Sequence, residues 1–529
     1  MIRQQGIRFL AILPLLSALS ACGGGGDNNT GTGGGGGTGN TWQAGVFLPS
    51  TQFDGMCTNP RANTSDRAGS VIDQNNWLRS WTNETYLWYS EVTDRNPANY
   101  ATADYFKILK TSATTPTGHD KDRFHFTYAT DVWQALSQGG TEAGYGVEFD
   151  VLAPTPPRHI VVAFTEPGSV GDAQLDRGDE VLQVDGVDAV NGGTQANVDV
   201  LNAGLFPENT NETHTFMVRN TAGVTRTVSV TSTTVTHVPV PVVSTFNTGS
   251  GLVGYMLFND HIGPAETPLI AGFNQLKNAN VTDLILDLRY NGGGYLDMAS
   301  EVAYMIANPT LTTGQTFERT VFNDKNPTRD PVTGETLAPT PFFSQSIGFP
   351  GGATANQPLP NLALNRVYIL VGPGTCSASE SIINSLRGAN VQVYLIGSTT
   401  CGKPYGFYPT DNCGTTYFSI QFRGVNAANF GDYPDGFSPA NQPTTTSGVS
   451  VPGCSVADDY THALGDVGEG RIAAALAFRA SNNQTCPVAS GFSDPRVSKA
   501  SFATSDDYRL WVSKPAARSN RMMRDRSSF

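Results

Sequence analysis

Two polar residues that could act as nucleophile and base stand after neighbouring predicted strands. Ser377 follows the apolar run Arg366–Val371 and a Gly-Pro-Gly turn, and it precedes a segment whose apolar residues have helical spacing. Lys403 follows the next apolar run, 391–396. A βαβ unit of this kind would bring both residues to one edge of a sheet. Because a serine attacks only after a base takes its proton, and a buried lysine can be that base, the pattern predicts a Ser/Lys pair.

Each residue also has a plainer interpretation. A serine before a helix often only caps it, and a lysine after a strand is often solvated. A third segment favours chemistry, because the buried-type strand predicted at 283–289, DLILDLR, leads into Asn291 and three glycines, 292–294. Successive glycines let backbone N–H groups approach a ligand closely, as an oxyanion hole requires. A flexible turn is the alternative for this segment.

The three segments contain, in chain order, the motifs DLILDLRYNGGGYLD, GTCSASE and GSTTCGK. Together they resemble the C-terminal processing, or tail-specific, protease family of serine peptidases, over roughly residues 66 to 480. The resemblance implies that Ser377 is the nucleophile and Lys403 the general base. It also implies an oxyanion hole formed by the backbone N–H groups of Gly293 and Ala378.

A third catalytic residue is not assigned. Many members of that family carry an acidic residue about one turn beyond the nucleophile helix, where this chain has an Arg-Gly-Ala sequence at 387–389. Glu380 is the nearest carboxylate, but an acidic residue in the first turn of a helix also suits the helix dipole. His261 is interpreted as a surface or hydrogen-bonding histidine, since no feature of the sequence pairs it with Ser377.

A second resemblance concerns residues 141–236, which are predicted to form short strands and turns. Residues 166–190, EPGSVGDAQLDRGDEVLQVDGVDAV, resemble the central part of a PDZ domain. The resemblance implies that a peptide's terminal carboxylate binds at the loop that contains Gly144, Tyr145, Gly146 and Val147, and that the peptide adds as a strand. An ordinary β-domain with a glycine turn is the alternative.

The first residues predict an export signal. Arg3 and Arg8 precede a short apolar stretch that ends in LSAC at 19–22, which resembles a bacterial lipobox. By that resemblance Cys22 is the lipid-modified first residue of the mature chain; ordinary cleavage that leaves a free cysteine is the alternative. A Gly-rich tether follows. We therefore expect a lipid-anchored protein of the cell envelope that faces the periplasm or the exterior.

The predicted fold is mixed α/β. It comprises a signal peptide (1–21), a tether (22–44), a helical cap rich in Trp and Tyr (45–140), a PDZ-like domain (141–236), a ClpP/crotonase-like catalytic core that the first resemblance implies (237–487), and a polar, loosely attached tail (488–529). The formal net charge of −13, which becomes −15 without Arg3 and Arg8, argues against nucleic acid as a partner.

We expect no cofactor and no metal, because the seven histidines lack metal-ligand spacing and CxxC and HExxH are absent. The motif GSTTCGK fits seven positions of a P-loop, but Pro404 stands where Ser or Thr should follow. Apart from Cys22, six cysteines allow three disulfides. Cys376–Cys401 and Cys401–Cys413 are the candidate pairings near Lys403.

These inferences predict an extracytoplasmic serine endopeptidase with a Ser/Lys dyad, acting on proteins or peptides whose free C-termini the PDZ-like domain recognises. The alternative is a non-proteolytic protein on the same fold, either a binder of hydrophobic ligands or a PDZ scaffold. Retention of Ser377, Lys403 and the glycine turn favours the enzyme, because a binder would need none of them.

Overall fold

A computed structural model describes residues 42–442, 448–489 and 521–523 of the chain. The predicted signal peptide, Cys22, most of the tether and most of the polar tail lie outside these residues. The architecture is mixed α/β, as the sequence predicts. Within the described ranges, every helix is too short or too polar to cross a bilayer.

The N-terminal region, residues 44–139, is built mainly from helices. Helix α1 (Val71–Thr85) begins at a capping box in which Ser70 and Asp73 bond each other's backbone N–H groups. Trp77 and Trp81, one turn apart on α1, stack with ring centroids 5.2 Å apart and are buried against Tyr417. The aromatic residues therefore serve packing. The other elements are β1 (Met56–Cys57), β2 (Arg67–Ala68), α2 (Thr102–Ile108), β3 (Phe126–Ala129) and α3 (Thr130–Gly139).

The middle region, residues 141–236, contains one larger sheet and one helix. Its elements are β4 (Thr141–Gly144), β5 (Val147–Ala153), β6 (His159–Thr165), β7 (Glu180–Val184), β8 (Val187–Asp188), α4 (Gln195–Leu205), β9 (Thr213–Arg219), β10 (Thr225–Thr231) and β11 (Thr233–Thr236). The strand order is β10-β9-β7-β6-β5, so β5 is an edge strand, and β8 pairs with β7. Leu201 and Leu205 of α4 pack into the core of this sheet. The antiparallel pair β4–β11 lies where the chain enters and leaves the region.

The core region, residues 242–480, is organised around a six-stranded sheet. Its main elements are β12 (Val242–Thr248), β13 (Gly251–Leu257), α5 (Glu266–Asn278), β14 (Asp283–Asp287), β15 (Gly293–Tyr295), α6 (Leu296–Ile306), α7 (Pro309–Thr312), β16 (Thr316–Val321), β17 (Thr340–Pro341), β18 (Arg366–Val371), α8 (Ala378–Gly388), β19 (Gln392–Gly397), β20 (Tyr405–Gly406), β21 (Thr410–Asn412), β22 (Thr415–Phe418), β23 (Phe422–Val425), β24 (Phe437–Pro439), β25 (Val449–Val451), β26 (Gly453–Ser455) and α9 (Gly470–Ala480). The order in the sheet is β12-β13-β14-β18-β19-β26, parallel except for β12. Further along the chain, β27 (Arg521–Met523) pairs with β15.

Helices cover both faces of this sheet. Helices α5, α6 and α8 share one apolar core with Ile369 and Leu395, and α9 packs on the other face with Ile285 and Leu370. Burial on both faces explains why these strands are almost wholly apolar. Because β14, β18 and β19 are parallel neighbours, their carboxyl ends open onto one edge, where the glycine turn, Ser377 and Lys403 follow.

Three disulfides join the six cysteines of the described region: Cys57–Cys413, Cys376–Cys401 and Cys454–Cys486. The Cys376–Cys401 pairing is confirmed. The alternative Cys401–Cys413 pairing is wrong, because Cys413, at the turn between β21 and β22, bonds to Cys57 of the N-terminal region.

Candidate active site

Ser377 occupies a strained turn between β18 and α8. Its backbone has φ 62° and ψ −116°, a left-handed conformation that residues other than glycine rarely adopt. The Oγ atom is buried and has no hydrogen-bond partner among the described residues. The turn thus holds an uncommitted hydroxyl at the start of a helix.

Hydrogen bonds attach this turn to the glycine turn, residues 291–294. Thr375 Oγ1 donates to Leu288 O at 2.8 Å, and the Cys376 N–H donates to Asn291 O at 3.1 Å. Ser379 Oγ donates to the same carbonyl at 3.1 Å. These hydrogen bonds hold the chain on both sides of Ser377. They explain how its strained backbone conformation persists.

Lys403 is fully buried, and its surroundings are largely aromatic. Its Nζ atom lies 4.2 Å from the ring centroid of Phe407 and 5.1 Å from that of Phe124. Burial lowers the pKa of Lys403 well below its ordinary value, although Asp122 and Glu380 oppose the shift. The lysine is thereby suited to accept a proton. The chain continues from it into strand β20 and not into a helix, unlike a P-loop.

Glu380 connects the nucleophile turn to the loop that carries the base. Its Oε2 atom accepts hydrogen bonds from the Ser377 N–H at 3.0 Å and from the Lys403 N–H at 2.8 Å. Its Oε1 atom accepts from the Gly402 N–H at 2.9 Å and from Thr400 Oγ1 at 2.5 Å. Glu380 therefore has a larger role than an acidic residue that only suits the helix dipole. Its carboxylate holds the backbones of both predicted catalytic residues side by side.

A disulfide joins the same two loops. Cys376 and Cys401 have Cα atoms 5.1 Å apart, and the Cys401 N–H donates to Thr375 O at 3.0 Å. Within the described residues, Cys376, Cys401 and Glu380 form the one group of potential metal ligands at suitable spacing. The two sulfurs are bonded to each other, so this cluster acts here as a covalent connection.

The N-terminal region contributes residues near Lys403 that sequence reasoning missed. Asp122 is fully buried, accepts a hydrogen bond from Tyr86 Oη at 2.6 Å, and acts electrostatically on Lys403. Beside it, Arg123 donates to the carbonyl of Cys401 at 2.6 Å. No pattern in the sequence marks these residues, because the contact joins positions 278 residues apart.

The two predicted oxyanion donors differ in whether their N–H group is already hydrogen-bonded. Ala378 is the first residue of α8, so its N–H has no acceptor within the helix. The Gly293 N–H instead donates to Asn291 Oδ1 at 3.0 Å. In this conformation, therefore, Gly293 must exchange that bond before it can stabilise an oxyanion.

His261 lies beside the glycine turn. It is fully buried, so its interpretation as a surface residue is wrong, whereas that as a hydrogen-bonding residue is confirmed: Nδ1 is 2.9 Å from Asn291 Oδ1. Burial lowers the pKa of His261 to about 3, despite the opposing bond to Asn291, so the ring is neutral. The ring thus supports the side chain that engages Gly293.

A cleft connects the middle region to the glycine turn. We call it the peptide cleft after its predicted role, because the predicted carboxylate loop, residues 144–147, lines it together with Gly292 and Gly293. The edge strand β5 and the end of α4 contribute further walls. The cleft also contains His237, whose Nδ1 is 2.9 Å from Glu166 Oε1 and whose Nε2 is 3.3 Å from Glu142 Oε1.

Arg177 joins the middle region to the core region beside the cleft. It donates to Tyr290 Oη at 2.7 Å and to Asp458 Oδ1 at 2.8 Å, and Tyr290 Oη donates to Asp458 Oδ2 at 2.6 Å. Tyr290 immediately precedes the glycine turn. Sequence reasoning missed this connection as well, although Arg177 lies within the passage that resembles a PDZ domain.

Comparison with known proteins gives this site a family context. Residues 252–407 match the model of peptidase family S41. A carboxyl-terminal-processing protease of Picosynechococcus sp. (strain ATCC 27264 / PCC 7002 / PR-6) is 27% identical over 270 residues, which cover 51% of this chain and 56% of that protein. The chain thus spans little more than half the length of this curated relative.

A solved structure from Bacteroides fragilis NCTC 9343, described as an S41 protease, superposes with a TM-score of 0.54 at 19% identity. The match covers 80% of this chain and all of that one. The chain therefore shares the fold of this structure. Its glycine turn, Ser377 and Lys403 all lie within the segment that is similar in sequence to peptidase family S41.

Proposed function

We propose that the protein is a serine endopeptidase in which Ser377 is the nucleophile and Lys403 the general base. The observation that carries the proposal is the shared carboxylate: Glu380 bonds the backbone N–H groups of both residues, one strained at a helix start and the other buried among aromatic rings. A strained backbone and a buried lysine both cost free energy, so they persist only where other interactions compensate. Both features are common at functional sites.

In the proposed reaction, neutral Lys403 takes the proton of Ser377 Oγ as this oxygen attacks the carbonyl carbon of the scissile peptide bond. The N–H groups of Ala378 and Gly293 stabilise the resulting oxyanion, once Gly293 has released Asn291. Lys403 then protonates the leaving amine, and water hydrolyses the acyl-serine ester with Lys403 again as the base.

The substrates we propose are proteins or peptides with a free C-terminus. Support comes from the peptide cleft, in which the loop at 144–147 lies beside the edge strand β5 and opens towards the glycine turn. An edge strand offers unpaired backbone groups to an added peptide strand. The middle region would accordingly be a PDZ-like domain that binds the tail while the chain is cut nearby.

The proposed location is the cell envelope, with Cys22 as the lipid anchor. Three disulfides support an oxidising compartment, since such bonds are rare in the cytosol. Metabolic labelling with a fatty acid, lost in Cys22→Ala, tests the anchor.

Ser377→Ala and Lys403→Met test the catalytic assignment. Each should lower the kcat for a peptide with a free C-terminus by at least about 10³-fold, and the double variant should be hardly worse than either single variant. A serine-directed covalent probe should label the wild type but not Ser377→Ala. Ser385→Ala is a matched control, because this serine is also buried on α8. Near-wild-type turnover of Lys403→Met would refute the dyad.

The pH profile gives a second test. The base must be neutral, so kcat/KM should rise with pH through the pKa of Lys403 and stay high at alkaline pH. Burial lowers this pKa, and Asp122 partly raises it again. Asp122→Asn should therefore move the rise to lower pH, whereas the exposed Asp120→Asn should not.

A further inference from the structure

The chain places its own C-terminal segment on the glycine turn. Strand β27 pairs in parallel with β15, so that Arg521 lies opposite Gly293 and Met523 opposite Tyr295. The same segment also contacts α8, which begins next to Ser377, and β20, which follows Lys403. It thus contacts the strand that contains Gly293, the helix that begins at Ala378, and the strand that begins two residues after Lys403.

The backbone of β15 indicates which side this segment uses. The Tyr295 N–H donates to His261 O at 2.9 Å, and Gly293 O accepts from the His261 N–H at 3.3 Å. Because successive residues of a strand direct their N–H and C=O groups to opposite sides, the groups of Gly294 face β27. A substrate strand beside the oxyanion hole would use the same open edge.

The pairing coincides with a glycine turn that is not ready for chemistry. The Gly293 N–H is bonded to Asn291 Oδ1 and is not directed at a carbonyl of the added strand. A segment in this position excludes substrate without being positioned for attack.

Charge also favours this occupant. The peptide cleft is lined by Glu142, Glu148, Glu166 and Asp260, and His237 is the one histidine, lysine or arginine among its lining residues. The tail segment 514–526, KPAARSNRMMRDR, contains five lysines and arginines and a single aspartate. A basic segment is attracted electrostatically to an acidic surface, so the composition of the tail favours binding beside this cleft.

We propose that the C-terminal tail, through residues 521–523, occupies the edge of β15 at which a substrate strand would bind. In this position the tail keeps the enzyme latent until it is displaced. The inference rests on the proposed peptidase function. The chain between residues 489 and 521 is long enough to span on the order of 100 Å when extended, so its length permits pairing within one molecule.

Proline substitutions test the backbone pairing in the full chain. Met522→Pro and Met523→Pro each remove a backbone N–H and disfavour a strand. With an uncharged peptide of free C-terminus as substrate, at least one of them should raise kcat/KM by about fivefold or more. Ala503→Pro, in the same tail but outside the paired segment, is the matched control and should match the wild type. The wild-type kcat/KM should not change with enzyme concentration, because the tail competes within its own molecule.

Hydrogen exchange separates this proposal from the catalytic one. In a Ser377→Ala background, where turnover plays no part, Met522→Pro or Met523→Pro should accelerate amide exchange in residues 293–295. Unchanged exchange together with unchanged kcat/KM would overturn the tail proposal and leave the peptidase assignment intact. Inhibition that increases with enzyme concentration would overturn the internal assignment in favour of a second copy. Faster exchange without hydrolysis in any Ser377-containing variant would instead remove the peptidase function.

Discussion

The proposed catalytic pocket and the peptide cleft meet at the glycine turn, yet they are held together in different ways. In the pocket, Ser377, Glu380 and Lys403 are fully buried, and one carboxylate, one disulfide and several backbone bonds fix their loops. In the cleft, the walls combine the backbone of residues 144–147, apolar side chains, and the carboxylates of Glu142, Glu148, Glu166 and Asp260; Gly146 adopts φ 72°. The difference teaches that the proposed reacting groups are held by a carboxylate and a covalent bond between their loops, whereas the proposed peptide-binding surface is formed by backbone, carboxylates and apolar side chains.

Among the changes that leave Ser377 and Lys403 in place, Glu380→Gln should have the largest effect, because it alters the carboxylate that joins the two loops of the pocket. An amide has one oxygen and an NH₂ group, so it cannot accept from all of the N–H and O–H donors that converge on Glu380. We expect kcat to fall by roughly 10²-fold with little change in KM, because the loops shift relative to each other.

A pH profile shows whether Glu380 acts through Lys403. Glu380 raises the pKa of that lysine against the effect of burial, so Glu380→Gln should also move the rise in kcat/KM to lower pH. Glu301→Gln is the matched control: this glutamate is equally buried, and the hydrogen bond that it accepts from the Ile347 N–H at 2.7 Å involves neither loop. A purely structural role for Glu380 would lower the activity without moving the profile.

An intermediate effect is expected from opening the Cys376–Cys401 disulfide. The bond closes a loop of 25 residues, whose constraint is worth on the order of 3 kcal/mol in the unfolded chain. The double variant Cys376→Ser/Cys401→Ser should lose activity several-fold at temperatures where circular dichroism still reports a folded protein. Cys454→Ser/Cys486→Ser removes a disulfide of similar loop length, 32 residues, away from both catalytic loops. Equal losses in the two variants would show that only general stability is involved.

The smallest effect is expected from a change in the substrate that tests the peptide cleft. Amidation of a substrate's C-terminus should raise KM by about fivefold and leave the cleavage position unchanged, because the charge-assisted bonds to the loop at 144–147 are lost. Free-acid and amidated peptides cleaved at equal rates would leave the middle region with a structural role only.

Substitutions of two glycines in the middle region test whether the loop at 144–147 binds the terminal carboxylate. Gly146 and Gly168 both have positive φ, but a Cβ atom at Gly146 would lie 2.4 Å from Ser169 Cβ, whereas Gly168 has open space. Gly146→Ala should therefore abolish the preference for free-acid peptides, and Gly168→Ala should retain it. Retention of the preference in both variants would exclude the loop at 144–147 as the carboxylate site.

The sequence predicted where the three turns lie, because apolar runs indicate parallel strands and such strands bring their carboxyl ends together. That logic located β14, β18 and β19, and with them the three turns at one edge. It could not assign Asp122 or Arg177, which reach the site from other regions through contacts that no local period encodes. The engagement of Gly293 by Asn291 was equally hidden, since the glycine pattern indicates what a backbone can do and not what it is bonded to.

The Cys57–Cys413 disulfide has a consequence for cleavage of this chain by a protease. It joins residues 356 positions apart, from the N-terminal region to the hairpin β21–β22, and Ser377 and Lys403 both lie between its ends. A single nick anywhere within this span therefore leaves two fragments that remain covalently attached. Whatever holds the N-terminus in place keeps the C-terminal fragment as well, so a nicked molecule is retained where it was and its fragments separate only under reducing conditions.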